Sequence, residues 1–571
     1  MRGIPGCQDA HVRMRRVGWV VAWFASLTLA LGACVGCTTS GPTPSKPVTG
    51  GSVTIANETG ALWQCDFNPY KSPMNGQSFG ILYEPLVYDN LLNDTRTPWL
   101  ANDYSWSADA RTLTFTIRHG VQWSDGQAFT AADVVFTFNL LNEHPELDLM
   151  SDWRVLSSVK QEGADKVIMA FRQPAVPSFY QVASQTPIVP QHIWSGYATP
   201  ATQVVKAPVG TGPFTMSECT GQNIRYSRNP TYWQKGVPYL DTVNYPAFVD
   251  NDPANLSVAT GQAQWGGQFI PNIDTYYGAR DPTHNKYWFP PINNINIWFN
   301  VKRSPFNNKL VRQAFAYAID RGSVSRIGEY GYEPPGNQTG VLSPTFDSWI
   351  DQGQAAKYNY KFNQAKAAGL LQQAGYTKGS SGIYQDSSGK KLSFSIIDLA
   401  GYTDWVASVQ AIQDNLKQLG IELKAQNLDS STYFDKLFTG NFDLAYGSLN
   451  TSPGPTPYYE LRNTLDSATT AALGATAAGD YGRYNNPAAD TLFDQFGATT
   501  DSGKQHDLIE QVEAIMLEDV PVIPITEGVA WYEYSTLDLG GWPTAADPYA
   551  APAPWNLPDW EVVLIHLHKT R

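Results

Sequence analysis

A chain of 571 residues is longer than one hydrophobic core usually serves, so we expect two or more domains. Hydrophobic residues make up 42% of the chain and charged residues 16%, a composition that excludes a disordered protein. The formal net charge is −13, which argues against a nucleic-acid binder because phosphates require a basic surface.

The first segment of the chain has the order of a secretory signal peptide. Residues 11–16 are largely basic, and the apolar run over residues 17–31 is shorter than the roughly 20 residues of a membrane span. The run ends at Leu31-Gly-Ala-Cys34, which resembles the lipobox where bacterial lipoproteins are cut and receive diacylglycerol. We therefore predict a signal peptide over residues 1–33, a lipid on Cys34, and export to the outer face of the cytoplasmic membrane.

A tether follows, and two questions stay open at this end of the chain. Residues 34–51 are rich in Gly, Pro, Ser and Thr, a composition typical of a flexible linker. Cys37 competes as the lipid site, and Cys34 with Cys37 also forms a C-x-x-C pair that could serve redox or metal chemistry. Translation could start at Met14, because residues 1–13 fit no part of the signal pattern.

The body of the chain alternates between strand and helix patterns, which predicts a mixed α/β architecture. Leu113, Phe115 and Ile117 alternate with polar residues and therefore share one face of a strand. Thr130 is a favourable helix N-cap, and Asp133 places a carboxylate near the positive helix end. The predicted strands are residues 52–56, 113–118 and 421–424, and the predicted helices are residues 130–141, 310–319 and 406–419, the last closed by Gly420.

Two glycine motifs mark turns between these elements. Asp125-Gly126 predicts a tight turn between a strand and a helix. The glycines of residues 208–212 (PVGTG) predict a sharp reversal of the chain.

Four stretches of the body carry a family resemblance. As a set and in this order, they resemble the family 5 extracellular solute-binding proteins, the oligopeptide, dipeptide and nickel receptors of ABC importers. The stretches are residues 100–109 (LANDYSWSAD) with 113–135, residues 208–214 (PVGTGPF) with 228–233 (RNPTYW), residues 299–306 (FNVKRSPF) with 311–321 (VRQAFAYAIDR), and residues 520–525 (VPVIPI).

The resemblance implies a fold and a division of the chain. The fold is α/β, a two-lobed periplasmic-binding-protein type II fold of the large class, with an extra inserted domain and a hinge of two crossover strands near Asn300 and Pro524. Lobe I would comprise residues 52–95, 208–300 and 525–571, the inserted small domain residues 96–207, and lobe II residues 301–524. Cys65 and Cys219 both fall in lobe I on this map, so we predict a disulfide between them in an oxidising compartment.

The resemblance also implies a function: a monomeric lipoprotein that captures a small-molecule solute and delivers it to an ABC permease and its ATPase, without a cofactor. An enzyme is the rival class, and its signals are weak. Residues 76–80 match the G-x-S-x-G pattern around Ser78, but a polar, proline-broken segment precedes them instead of an apolar strand. His566 and His568 lack further metal ligands nearby.

We expect the solute to be a peptide. A neutral oligosaccharide is the alternative, and nickel, haem or another solute ranks third. In peptide-binding relatives an aspartate of lobe II pairs with the α-ammonium of the ligand, and the matching position here is Thr451. We therefore predict no carboxylate at that position, unless another acid such as Glu84 or Asp404 takes its role. A sugar would instead need aromatic faces and neutral hydrogen-bonding groups, and the candidates are Trp265, Gln268, Tyr402, Trp405, Asn450 and Thr451, with Trp63 and Trp531 behind them.

The lipid site predicts a specific phenotype. Cys34→Ala should abolish retention in the membrane fraction, because the thioether to diacylglycerol can no longer form, whereas Cys37→Ala should leave retention intact. Fractionation of cells followed by immunoblotting measures both. Loss of retention only in Cys37→Ala would move the lipid to that residue.

Overall fold

The computed structural model of the chain describes residues 47–71, 76–93, 95–448 and 454–571. The predicted signal peptide, Cys34 and Cys37 lie outside the described residues. The strands are β1 (Ser52–Ala56), β2 (Val87–Asn90), β3 (Thr95–Pro98), β4 (Ala101–Trp106), β5 (Thr112–Ile117), β6 (Leu156–Glu162), β7 (Lys166–Phe171), β8 (Phe214–Cys219), β9 (Asn223–Arg228), β10 (Thr242–Pro246), β11 (Trp265–Gly266), β12 (Asn285–Tyr287), β13 (Pro291–Phe299), β14 (Thr377–Lys378), β15 (Tyr384–Gln385), β16 (Ser393–Leu399), β17 (Glu422–Leu428), β18 (Leu444–Gly447), β19 (Val522–Val529), β20 (Glu533–Ser535), β21 (Leu539–Gly540) and β22 (His568–Lys569).

The α-helices connect and cover these strands. They are α1 (Ala131–Glu143), α2 (Gln191–Trp194), α3 (Asn251–Ala259), α4 (Ile273–Tyr276), α5 (Lys309–Ala318), α6 (Arg321–Gly328), α7 (Gln352–Tyr358), α8 (Gln364–Gln373), α9 (Thr403–Leu419), α10 (Ser430–Thr439), α11 (Pro457–Leu465), α12 (Pro487–Gly497), α13 (Ser502–Asp519) and α14 (Asp559–His566). None of the helices in the described ranges is both long enough and apolar enough to cross a bilayer.

Three sheets organise the chain into two lobes and an inserted domain. Lobe I contains a seven-stranded sheet in the order β12-β20-β11-β1-β10-β9-β8. Lobe II contains a five-stranded sheet in the order β17-β16-β18-β13-β19, and the inserted domain a four-stranded sheet in the order β4-β5-β7-β6. Each sheet defines one of these three parts, and the exact residue boundaries between lobe I, the inserted domain and lobe II stay a prediction.

The hinge consists of β13 and β19, which pair antiparallel from Pro291 and Val529 to Trp298 and Val522. The chain passes from β13 directly into lobe II and returns through β19 to β20 of lobe I. Backbone hydrogen bonds between the two strands hold the crossing points side by side, so the lobes can rotate about one shared ribbon.

The inserted domain confirms the local predictions made for its sequence. Leu113, Phe115 and Ile117 are at most 2% exposed and pack inside it. At the start of α1, the Asp133 carboxylate accepts a hydrogen bond of 2.8 Å from the backbone N–H of Thr130, which completes a capping box. Gly126, at a φ of +88°, forms the predicted tight turn.

Lobe II likewise follows its predicted pattern. α5 and α9 cover residues 309–318 and 403–419, close to the predicted ranges. Gly420 ends α9 at a φ of +105°, and β17 follows two residues later. α5 packs against α8, and α6 against α9, over a large core.

The disulfide between Cys65 and Cys219 is confirmed, with a Cα–Cα separation of 5.7 Å. It ties the segment after β1 to the end of β8 within lobe I. The two cysteines are 154 residues apart. A cross-link that closes so long a loop restricts the unfolded chain more than the folded one, which stabilises the lobe.

The glycines of residues 208–212 serve a different purpose from the predicted reversal. Neither Gly210 nor Gly212 has a positive φ. Instead, a Cβ at Gly210 would lie 1.8 Å from the carbonyl oxygen of Leu82, and one at Gly212 would lie 2.3 Å from that of Ile81. The two glycines therefore let the chain pass directly against the backbone of residues 81–82.

Gly210→Ala should destabilise the protein by about 1–3 kcal/mol or more, because the new methyl group meets a main-chain carbonyl that cannot rotate away. Thermal unfolding followed by circular dichroism measures the shift. Gly369→Ala is the matched control, since Gly369 lies within α8 with no atom near the added methyl group. The control should be neutral or stabilised by up to about 1 kcal/mol, and an equal loss in both variants would contradict the close-approach explanation.

Candidate functional site

The two lobes meet at loops that follow β1 and precede α3 and α9. A Cβ at Gly60 of lobe I would lie 2.2 Å from the Ser430 hydroxyl, and one at Gly401 of lobe II would lie 3.1 Å from the Val249 carbonyl oxygen. These approaches bring the polar residues beside them from opposite lobes into one closed cleft.

Four buried carboxyl groups gather at this contact. Glu58 comes from lobe I, and Asp404, Glu329 and Glu333 come from lobe II; they are 6%, 3%, 0% and 2% exposed. The Ser408 hydroxyl donates to Glu329 at 2.8 Å. We call these four residues the cleft acids.

Hydrogen bonds also connect the cleft acids to the hinge. The Thr526 hydroxyl, on β19, donates to Glu333 at 2.6 Å. On the lobe I side, the Asn251 amide lies 3.5 Å from Asp404, a long contact that joins α3 to α9.

Burial governs the protonation of the cleft acids. Loss of solvent raises the pKa of Glu58 to about 8, and the charges of Asp404 and Asp250 push it in the same direction. Burial also raises the pKa values of Asp404, Glu329 and Glu333. In the part of the chain that the structure describes, none of the four forms an ion pair with Lys, Arg or His.

An aromatic cluster lies near the hinge and joins both lobes. Trp531, two residues after β19 and 9% exposed, meets Phe289 at 4.9 Å and Phe269 at 5.4 Å between ring centroids. Tyr332 of lobe II packs against Phe289 at 5.6 Å, and Tyr330 against Phe269 at 5.8 Å. Closure of the lobes therefore sets rings from opposite sides against each other.

Tyr402 and Trp405, predicted from the sequence, lie at the cleft. The Tyr402 hydroxyl lies beside Glu58 and favours its charged form. Trp405 is 8% exposed and packs edge-on against Tyr402 at 5.0 Å and Tyr446 at 5.7 Å. Tyr402 therefore lies next to a cleft acid, whereas Trp405 belongs to the buried core of lobe II beside it.

Gln268 also lies on the lobe I side of the contact. Its amide donates to the Asn255 side chain at 3.2 Å, and the Asn255 amide donates to the Phe269 carbonyl at 3.0 Å. These bonds hold the segment that carries Phe269, so the structure gives Gln268 a positioning contact next to the aromatic cluster.

Trp265 and Trp63 belong instead to the packing of lobe I. Trp265 is fully buried, and its indole N–H donates to the Pro552 carbonyl at 2.9 Å. Trp63 donates to the Tyr245 carbonyl at 2.8 Å and packs against that ring. The flat ligand-facing surface predicted for Trp265 is thus corrected: its ring fills the core, because β11 runs through the interior of the sheet.

Glu84 is likewise a core residue of lobe I and the inserted domain. Its carboxylate accepts hydrogen bonds from Trp99 at 2.8 Å, Tyr232 at 3.0 Å and Trp233 at 3.0 Å, and it is hydrogen-bonded to Glu561. These partners are all inside the core and the group is fully buried, so Glu84 does not take the role of the missing aspartate suggested from the sequence.

Asn450 and Thr451 lie outside the described residues. The sequence reasoning missed Glu58, Glu329 and Glu333, and the aromatic residues Phe269 and Tyr332. No local pattern marks them, since each follows or precedes an ordinary strand or helix and becomes significant only beside the opposite lobe.

A cavity of about 420 Å³ separates the inserted domain from lobe II. Trp106 and Phe179 line one side, and Trp349 and Tyr459 the other. The guanidinium of Arg96 also reaches this cavity, where it is paired with Asp89 at 2.6 Å. The cavity therefore has a mixed lining of aromatic and polar residues, and its cation Arg96 is paired with Asp89.

The residues that weakly suggested an enzyme or a metal site, residues 76–80, His566 and His568, are described in the structure. Residues 76–80 form turns, and Ser78 is fully buried. His566 and His568 each lie next to a main-chain carbonyl oxygen. Within the described ranges, no three His, Cys, Asp or Glu residues are arranged to hold a metal ion.

Comparison with known proteins gives matches over most of the chain. The sequence model described as bacterial extracellular solute-binding proteins, family 5 Middle, matches residues 95–472. The oligopeptide-binding protein AppA of Bacillus subtilis (strain 168) is 29% identical over 423 residues, which cover 71% of this chain and 73% of that protein. The nickel-binding periplasmic protein of Escherichia coli (strain K12) is 22% identical, covering 83% and 88%.

A solved structure shows the same fold over nearly its whole length. It is a periplasmic oligopeptide-binding protein of an ABC transporter from Thermotoga maritima, crystallised with mannohexaose. The two superpose with a TM-score of 0.84 at 25% identity, covering 91% of this chain and 99% of that one.

The pair Glu84 and Glu561 makes the stability of lobe I depend on pH. Burial raises the pKa of both groups, and the nearby Glu84 charge raises that of Glu561 further. The folded protein then holds a proton that the unfolded chain has lost, so the free energy of unfolding falls as pH rises above the ordinary glutamate pKa.

Glu561→Gln should flatten this fall between about pH 5 and pH 8, because an amide donates to Glu84 without titrating. Thermal unfolding at several pH values measures the difference from the wild type, with Glu510→Gln on the exposed face of α13 as control. Equal slopes in all three proteins would show that the pair does not share a proton.

Proposed function

Because the chain belongs to family 5 of the bacterial extracellular solute-binding proteins, we propose that it is the substrate-binding lipoprotein of an ABC importer and captures a peptide between its two lobes. Proteins of this family bind solutes and hand them to membrane components; they are not enzymes. The hinge of β13 and β19 supports the capture step, since rotation about it opens and closes the cleft.

The observation that carries the peptide assignment is the charge of the cleft. Four buried carboxyl groups face the contact between the lobes, and within the described ranges no basic side chain pairs with them. A buried charge requires a partner, or its burial costs several kcal/mol. A solute that brings its own ammonium group, as a peptide does, supplies that partner, and AppA is a relative named for oligopeptide binding.

Export and anchoring belong to the same proposal. The signal-peptide order of residues 1–33 and the lipobox-like end at Cys34 support a lipid anchor at the outer face of the cytoplasmic membrane. The acidic, tethered body would act there as a monomer, delivering its solute to a permease that an ATPase drives.

A neutral oligosaccharide is the second candidate, and the aromatic cluster favours it. Rings of Phe269, Phe289, Tyr332 and Trp531 can pack against the apolar faces of sugars, while Gln268 lies next to them. The relative from Thermotoga maritima was crystallised with mannohexaose. Protonated carboxyl groups could also donate to sugar hydroxyls.

Calorimetry with the purified mature protein decides between the two solutes. A mixed peptide library should bind, and acetylation of the peptide amino ends should weaken binding roughly tenfold or more, because a charged hydrogen bond is lost. Cello-oligosaccharide and mannohexaose are the comparison ligands. Binding of a sugar together with no heat from peptides would replace the peptide assignment by the oligosaccharide one.

A further inference from the structure

Two carboxyl groups from opposite lobes approach each other where the cleft closes. Glu58 lies two residues after β1 of lobe I, and Asp404 lies in the first turn of α9 in lobe II. Each is more than nine-tenths buried. A Cβ at Gly401, three residues before Asp404, would lie 3.5 Å from a carboxylate oxygen of Glu58, so the two acids come together across the contact between the lobes. The two carboxyl groups come close to each other only when the lobes are closed.

The groups around this pair are acidic or phenolic. Glu58 faces Asp250 from the same lobe and Tyr402 from lobe II, and it also acts on Tyr245 of β10, the strand next to β1. Asp404 faces Glu329 and Glu333, with Tyr402 and Tyr446 beside them. No lysine, arginine or histidine appears among these described neighbours.

The hydrogen-bonding capacity of Glu58 is unfilled, whereas Asp404 has the Asn251 amide and backbone N–H groups beside it. Neither carboxylate oxygen of Glu58 has a partner at full hydrogen-bonding geometry, although the Tyr402 hydroxyl and the Gly60 amide lie near it. The fully buried Tyr446 hydroxyl and one oxygen of Glu329 also lack such a partner. Buried polar atoms normally have one, so the cluster is prepared for a group that is not part of its described residues.

A primary ammonium fits these requirements. It carries one positive charge and three N–H donors on a compact head, which matches several unfilled acceptors at once. A neutral hydroxyl has a single donor and carries no charge that could replace the protons of the pair.

We propose that Glu58 and Asp404, one from each lobe, form the site for a primary ammonium group of the solute, and that this group replaces protons which the pair holds in the ligand-free closed state. The proposal rests on the proposed function, because it assigns the solute's amino end to named residues. It also makes the pair a contact between the lobes that stabilises the closed state only when a cation or a proton is bound.

Solute binding should depend on pH, because burial raises the pKa values of Glu58 and Asp404. In the closed, ligand-free protein burial raises the pKa of Glu58 to about 8 and raises that of Asp404 as well, so near pH 7 Glu58 is mainly protonated. An ammonium binds the charged pair, so capture releases protons and tightens as pH rises through this range. Without ligand, loss of the protons at higher pH leaves like charges facing each other and favours opening.

Calorimetry of one tightly binding peptide at pH 7, in two buffers of different ionisation enthalpy, counts the protons released. We expect net release in the wild type. Glu58→Gln should remove most of the release and weaken binding roughly tenfold, and Asp404→Asn is a second variant with the same expected effect. Asp414→Asn, exposed on the same helix, is the matched control and should behave as the wild type.

Small-angle X-ray scattering of the ligand-free protein tests whether protons on Glu58 and Asp404 keep the lobes closed. The radius of gyration should increase from pH 6 to pH 9 in the wild type and in Asp414→Asn, and it should stay constant in Glu58→Gln. A pH-independent wild type would overturn the proton-held closure.

The calorimetric outcomes separate this inference from the function it rests on. Peptide binding without proton release, and with full affinity in both Glu58→Gln and Asp404→Asn, would overturn the ammonium site while the peptide receptor stands. Sugar binding with no peptide binding would overturn the peptide function, and the ammonium site with it.

Discussion

The pairing of β13 with β19 is the constraint on which the arrangement of the protein depends. These strands belong to the sheet of lobe II, yet they connect to lobe I at their other ends, so the chain crosses between lobes along one hydrogen-bonded ribbon. The same ribbon touches both groups of functional candidates. Thr526 on β19 donates to Glu333 of the cleft acids, and Trp531 just beyond β19 lies at the centre of the aromatic cluster. Both groups of candidates are therefore in direct contact with the hinge.

The buried acids of this protein fall into two kinds, which their hydrogen bonds distinguish. Glu84 receives donors from Trp99, Tyr232 and Trp233, so its burial is compensated inside one body of the fold. Glu58 is buried to a similar degree, but its oxygens lack partners at full geometry and the lobe opposite brings further acids. The first arrangement stabilises a core. The second is stable only with protons or a cation, which is the property expected of a ligand site that also controls closure.

The inserted domain adds a second contact to the closed state. Arg154 donates to the Ala468 carbonyl of lobe II at 2.8 Å, and the Tyr459 hydroxyl donates to the Pro177 carbonyl. These bonds flank the cavity between the inserted domain and lobe II. The inserted domain is thus hydrogen-bonded to lobe II in the same arrangement in which lobes I and II meet.

The sequence by itself determined the local elements and the family resemblance, because these depend on periodicity, capping residues and motif order within short stretches. The disulfide joins cysteines 154 residues apart, so its prediction needed the division into lobes that the resemblance implies. Thr130 with Asp133, the alternation of Leu113, Phe115 and Ile117, and Gly420 all act within a few residues of one another. Tyr402 and Trp405 are candidates by side-chain type alone, as aromatic groups for a sugar, and Asp404 as an acid that could replace the missing aspartate.

Only the tertiary structure decided which candidates belong to the cleft. Trp265 and Trp405 are both tryptophans buried in the core of their own lobe, and only Trp405 packs against Tyr402, whose hydroxyl lies beside Glu58. Glu58 and Asp404 are separated by most of the chain. Their effect on each other comes from the distance between lobes and from the exclusion of water, and neither quantity is encoded in a local pattern of residues.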